Sequence, residues 1–181
     1  MHRHALLGKL RRYRPGDDGE YRMYLTLLRF VETEPECFER SLQIGHVTGS
    51  AWIVNPGGNR ALLTHHRKLD RWLQLGGHAD GNPDILAVAL REAREESGLP
   101  EIRPVSEDVF DLDIHPIPAR GTEPRHLHYD VRFLLEADDA APLVISNESK
   151  ALAWVDLAQI GCYSTDASIT RMTAKTLARR R

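Results

Sequence analysis

Cysteine is scarce in this sequence: Cys37 and Cys162 are the two in 181 residues, far apart and outside any C-x-x-C pattern. That excludes a disulfide framework and gives no thiolate zinc site, so a reducing cytoplasm is the expected compartment. An excess of one charge is also missing, with 24 basic against 26 acidic residues and a formal net charge of -2. A dedicated nucleic-acid binder would carry a strong basic excess overall or along one face, so no nucleic-acid partner is expected. Long apolar runs are absent as well. No stretch approaches the roughly 18 residues needed to span a bilayer, and the segment from Met1 to Lys9 has no apolar run with a small-residue cleavage site. The expectation is a protein neither exported nor membrane-embedded. What remains, 41% hydrophobic and 28% charged residues, is the make-up of a globular chain that buries about 70% of its unfolded surface around one core.

Periodicity divides the chain without repeats or low-complexity linkers. Residues 1–44 read as a helical hairpin packed on the rest, with Leu6, Leu7 and Leu10 in one stripe, the Pro15-Gly16 break, and Tyr21, Tyr24, Leu25 and Leu28 in another. From His46 the texture turns to strands: HVTGSAWIVN, the turn signal Pro56-Gly57-Gly58-Asn59, then RALLTH, together a hairpin. Further strands are expected around 102–115, at HLHYDVRFLLEA and at KALAWVDL, and a last helix from about Asp166. Its closing arginines, Arg179 to Arg181, suit the partial negative charge of a helix C-terminus. Interleaved strands and helices predict an α+β protein, a mixed sheet with helices on it.

The stretch GGHADGNPDILAVALREAREESGL concentrates the chemistry. Asn82 reads as a helix N-cap, Pro83 as the first helical residue and Gly98 as the stop. At 100 degrees per residue, Leu86, Ala89, Leu90, Ala93 and Ser97 share an arc that can pack on the sheet, and Glu92, Glu95 and Glu96 crowd an adjacent one. Like charges at such spacings repel by a few tenths of a kcal/mol per pair when exposed, and more in a cleft. Two compensations stay open on charge pattern alone. One is a solvated acidic face balanced by Arg91 and Arg94; the other is a hard divalent cation, Mg2+ or Mn2+, whose preference is for carboxylate oxygens.

Gly77 followed by Arg91-Glu92-x-x-Glu95-Glu96-x-Gly98-Leu99 strongly resembles the Nudix box of the Nudix hydrolase family. The resemblance covers about residues 45–160. It implies a Nudix-like α/β/α sandwich over 45–181, with residues 1–44 as an N-terminal helical extension. One departure stands out: Pro83, with Asp84 beside it, occupies the place of a glutamate that in the family supports the loop and the box arginine. Loop geometry and the orientation of Arg91 are what this departure touches, and Asp80 or Asp84 could take over the support.

Further implications follow from the resemblance. The activity is hydrolysis of a nucleoside diphosphate linked to another group, with Mg2+ or Mn2+ held by Glu92, Glu95, Glu96 and the carbonyl of Gly77. The base that takes the proton of water is a box glutamate, Glu95 or Glu96, or a loop acid such as Glu148 in SNESK. His126 and His128 alternate on one strand with Asp130, and His78 follows Gly77, so these histidines are candidate substrate contacts. Trp52, Trp72 and Tyr129 are candidates for stacking on a base, against the commoner fate of core residues. Two other readings compete: a nucleotide-binding regulatory domain that keeps the fold without cleaving, and a diphosphate isomerase of the same fold, which would need a cysteine beside the site. Homodimerisation is an expectation by family analogy.

Overall fold

A single ten-residue strand, β1 (Gly45–Val54), organises the molecule. In the computed structural model, which describes residues 2–121 and 124–179, β1 is buried from end to end, as a strand covered on both faces must be. It runs parallel to β7 (His126–Glu136) and antiparallel to β4 (Leu75–His78). The expected hairpin with β2 (Arg60–His66) is present at its turn, through the pair Val54 and Ala61. Beyond the turn, β2 pairs instead with β3 (Arg71–Leu73) and β8 (Ser149–Asp156). β5 (Arg103–Pro104) and β6 (Asp111–Ile117) both pair with β7, completing a mixed sheet of eight strands.

Two features differ from the expectation of one strand around 102–115 and a glycine loop before the box. The first region breaks into β5 and β6, and the residues between stay tethered to β7 through Val105 N–H to Leu134 O and Phe110 N–H to Arg132 O, both 2.9 Å. Part of the glycine loop is strand β4, which exists because the free edge of β1 offers its backbone groups partners.

Helices α1 (His4–Arg12), α2 (Asp18–Thr33) and α3 (Ile85–Ser97) cover one face of the sheet, and their buried Leu10, Leu27, Val31 and Val88 join Val47, Val131 and Phe133 in one core. The opposite face packs Trp52 and Leu134 against Ile169 and Met172 of α5 (Ala167–Arg179), with a short α4 (Ile160–Tyr163) leading into it. This is an α+β fold with helical layers on a mixed sheet, as expected. The second N-terminal stripe is rotated from its predicted position. Tyr21 and Leu25 are 50% and 45% exposed, and α2 buries Leu27, Phe30 and Val31. Two anchors account for the rotation: Phe30 stacks on Tyr129 at 3.7 Å, and buried Glu20 accepts from Tyr13 Oη and pairs with Lys175.

Charge is buried where β6, β7 and α5 meet. Arg132, 2% exposed, donates to Asp130 at 2.7 Å and pairs with Asp111 and Asp113 at 3.3 Å each. Arg171 and Lys175 of α5 reach Asp111 at 2.8 Å each. Such a group is tolerated inside only because every charge has an opposite neighbour.

Candidate active site

Strand β4 and helix α3 place the box. The helix begins two residues later than Asn82 and Pro83 suggest: Asp84 is the N-cap, its carboxylate accepting from Ala87 N–H at 3.1 Å, and Ile85 is the first helical residue. Asn82 instead accepts from Asp84 N–H at 3.0 Å, bracing the loop. At the other end Gly98, with φ of 68 degrees, closes the helix in the left-handed conformation that glycine adopts without strain. The packed face comprises Ile85, Val88, Ala89, Ala93 and Ser97, whereas Leu86 and Leu90 are half-buried.

The three glutamates occupy different environments. Glu96 is 6% exposed and accepts from Gly76 N–H at 2.8 Å. Glu92 is half-buried, its carboxylate lying over Gly77 so closely that a Cβ there would come within 2.6 Å of both oxygens. Glu95 turns outward, with its side chain 60% exposed and 3.5 Å from Arg91. A uniformly solvated acidic face is therefore not what α3 presents. Burial pushes the Glu96 carboxyl from its usual 4.5 up to about 8; the Gly76 N–H opposes this, and the charges of Glu92, Glu148 and Glu95 reinforce it. Burial likewise raises Glu92, opposed by Arg91 and reinforced by Glu95, Glu148 and Asp80.

Arg91 is oriented without the glutamate that Pro83 replaces. Its guanidinium donates to the carbonyl of His78 at 3.0 Å and lies 2.8 Å from Glu92. Support thus comes from the backbone of β4, while Asp84 is occupied as the helix cap. Glu148, exposed at the start of β8, is near enough for its charge to act on both Glu92 and Glu96, and its carbonyl accepts from Arg67 N–H at 2.8 Å. The structure brings Gly77, Arg91, Glu92, Glu95, Glu96 and Glu148 to one neighbourhood.

The predicted histidines gather on the sheet face away from α3. His126 and His128 project there from β7, and His78 projects from β4, whose neighbour Thr48 hydrogen-bonds Asp130 of the same face at 2.9 Å. Between them stands His46 of β1, which sequence reasoning did not single out. The signal available was the polar alternation His46, Thr48, Ser50 along an otherwise apolar strand. His46 is 2% exposed. Burial and the neighbouring rings lower its pKa to about 4 and that of His128 to about 2, so both are neutral in ordinary buffers. Of the stacking candidates, Trp52 is fully buried with Nε1 donating to Thr176 at 2.9 Å, and Tyr129 is covered by Phe30. Trp72 is half-buried and stacks on His65 at 5.0 Å. Pro116 lies within β6, opposite Leu127.

Comparison with known proteins agrees with this fold. Residues 46–175 match the family model described as NUDIX domain. No curated protein matches the chain by sequence. Among solved structures, a Caenorhabditis elegans Ap4A hydrolase binary complex is similar with TM-score 0.59 at 19% identity, over 74% of this chain and 96% of that one. A NUDIX family hydrolase from Clostridium perfringens is similar with TM-score 0.54 at 23% identity, over 74% and 97%. The NUDIX domain of Shewanella oneidensis NrtR, crystallised with ADP-ribose, is similar with TM-score 0.54 at 15% identity, over 84% and 97%. At these identities the structures speak for the fold, while the family model covers the box, the sheet and most of α5: the chain belongs to the NUDIX domain family of hydrolases.

Proposed function

We propose that this protein is a divalent-cation-dependent pyrophosphohydrolase that cleaves the diphosphate of a nucleoside diphosphate linked to a second group, a nucleotide or a sugar such as ADP-ribose. The observation that carries the reading is the pair Glu92 and Glu96, two carboxylates set into the Gly76-Gly77 backbone with their pKa values raised. Holding two acids in a partly desolvated site costs stability unless a positive charge joins them. Arg91 reaches Glu92, so the deeper Glu96 is the one left for a cation. The donor set fits Mg2+ or Mn2+: hard oxygens from Glu92, Glu95 and Glu96, with the Gly77 carbonyl as the expected backbone donor and the Glu92 carboxylate lying against the side-chain-free Gly77.

Bound there, the cation would neutralise diphosphate charge and lower the pKa of an attacking water. The chain's own residues do the rest. Arg91 fixes the β4 backbone against α3 and keeps Glu92 in place. Glu148 takes the proton of water, since it is exposed and close enough for its charge to act on both box glutamates. His78, His126 and His128 are all half-buried and lie on the sheet face away from the glutamates, so they offer no contact to a diphosphate held at Glu92 and Glu96. The setting is a reducing compartment, in keeping with the free, buried Cys37.

Cysteine chemistry offers no support for the isomerase reading. Cys37 is fully buried and burial pushes its thiol up to about 11, so it presents no thiolate to a substrate, and Cys162 is exposed on α4. The deciding experiment is phosphorus NMR of the purified protein with a panel of nucleoside diphosphate compounds, with Mg2+, Mn2+ or chelator, beside Glu95→Gln/Glu96→Gln. Cleavage that needs the cation and is lost in the variant is the expected result. Binding of a compound without cleavage under any condition would replace the hydrolase with a nucleotide sensor.

A further inference from the structure

The geometry points to a second metal site, in which His46, His78 and His128 hold a zinc-class divalent cation on the sheet face opposite the glutamates. Strand pairing places these rings. His46 lies directly across from His128 on the parallel β7, and His78 enters from β4 on the other side of β1, next to Thr48. Their centroids form a near-equilateral triangle: 4.8 Å from His46 to His128, 5.0 Å from His46 to His78 and 5.0 Å from His78 to His128. Three imidazoles on a tetrahedral ion with Zn–N bonds of about 2.05 Å have centroids about 5.2 Å apart. The backbone has therefore already brought the rings to ligating separation.

Their ligand atoms lie within 4.8 Å of one another, and a tetrahedral site needs about 3.3 Å. Ring rotation about unchanged centroids supplies that difference. Hydrogen bonding gives an independent reason. Both ring nitrogens of His46 are buried without a partner, and so is Nε2 of His128, among the described residues. A buried imidazole with nothing to bond is costly, and a fully satisfied structure would have supplied carbonyls or hydroxyls. Here the rings of His46 and His128 face other rings, an arrangement that a shared cation satisfies without moving the strands.

Ligand softness sets the ion. Imidazole nitrogens favour Zn2+ and its first-row neighbours, whereas the carboxylates of α3 favour Mg2+ and Mn2+, so the two sites select different metals. Three protein ligands leave a fourth position for water, the pattern of an open site. The ring of His126, with its Nδ1 at 2.9 Å from Pro124 O, stands 5.0 Å from that of His46. The inference stands on the histidines alone and does not require the hydrolase reading.

Metal analysis of chelator-stripped protein re-equilibrated with Zn2+ tests it. One tightly held Zn2+ per chain is expected in the wild type and in Glu92→Gln/Glu96→Gln, with at least about tenfold weaker retention in His46→Gln/His128→Gln. Cobalt substitution should give the intense visible bands of a four-coordinate Co2+ in the first two proteins only. X-ray absorption at the zinc edge of the wild type, which needs no variant to fold, should count three imidazoles. Retention unchanged in the histidine variant, loss in the glutamate variant, a six-coordinate cobalt spectrum, or fewer than two imidazoles would each overturn the assignment.

Discussion

Glu96 makes the metal-free protein sensitive to alkali, and the sign of the effect is opposite to that of an ordinary salt-bridged acid. Its carboxyl titrates near 8 in the fold, against 4.5 unperturbed. Between those values the folded chain holds a proton that the unfolded chain has released. Stability from this group is then full below pH 4.5 and falls by about 1.4 kcal/mol per pH unit as pH rises toward 8. The accumulated loss has a ceiling of about 5 kcal/mol, a large part of the total stability of a domain. Other groups titrate in the same window, notably His46 and His128, whose lowered pKa values make stability rise with pH over part of it. The informative quantity is therefore the difference between wild type and Glu96→Gln, in which those contributions cancel. Glutamine keeps the shape and the oxygen that accepts from Gly76 N–H. Urea unfolding in chelator should find the two proteins similar near pH 5 and the variant more stable by several kcal/mol at pH 8. Mg2+ at 100 times its dissociation constant should narrow the gap, since such a ligand adds about 2.7 kcal/mol to the protein that binds it. A stability difference that does not change with pH, or a wild type that gains on the variant as pH rises without cation, would refute the reasoning.

Gly77→Ala drives a methyl group into the Glu92 carboxylate, so the Mg2+ concentration for half-maximal activity should rise by about tenfold or more, while thermal unfolding changes little; a cation titration of phosphate release checks it. Glu148→Gln should lower kcat by about 100-fold or more and remove the acidic limb of the pH profile, with substrate affinity from calorimetry unchanged. Arg132→Met strips the counter-charge from Asp111, Asp113 and Asp130 inside the sheet, and should cost about 3–5 kcal/mol in urea unfolding.

Legibility in the sequence tracked the range of the interactions. The box helix, its glycine stop and the shared face of its glutamates follow from local spacing, and the structure has them. The same spacing could not say which stripe of α2 faces inward, because that was settled by Tyr129 and Lys175, more than ninety residues away in the chain. Strand β4 carried no strand signal, since Gly76 and Gly77 have none; it forms because β1 has an edge to fill. In the site, residue identities were readable and environments were not. Nothing in the spacing of Glu92, Glu95 and Glu96 distinguishes the buried member from the exposed one. His46 escaped notice because its partners arrive on β4 and β7, and a parallel pairing across some eighty residues leaves no local mark.

Alternation along β4 ties the two sites together. Gly77 faces α3, where the missing side chain leaves room for Glu92, and His78, the next residue, faces the histidines. Two successive residues of a strand cannot share a face, so one dipeptide serves a carboxylate site on one side and an imidazole site on the other. Both depend on a single register, Gly49 opposite Gly77 and Thr48 opposite His78. A slip by one residue would turn an imidazole into Glu92 and leave a glycine among the rings. Arg91 guards that register, because its bond to the His78 carbonyl holds β4 at the very residue where the two faces part. The arginine of the box thus touches β4 between the two faces, and the backbone of β4, rather than a loop side chain at Pro83, fixes where that arginine points.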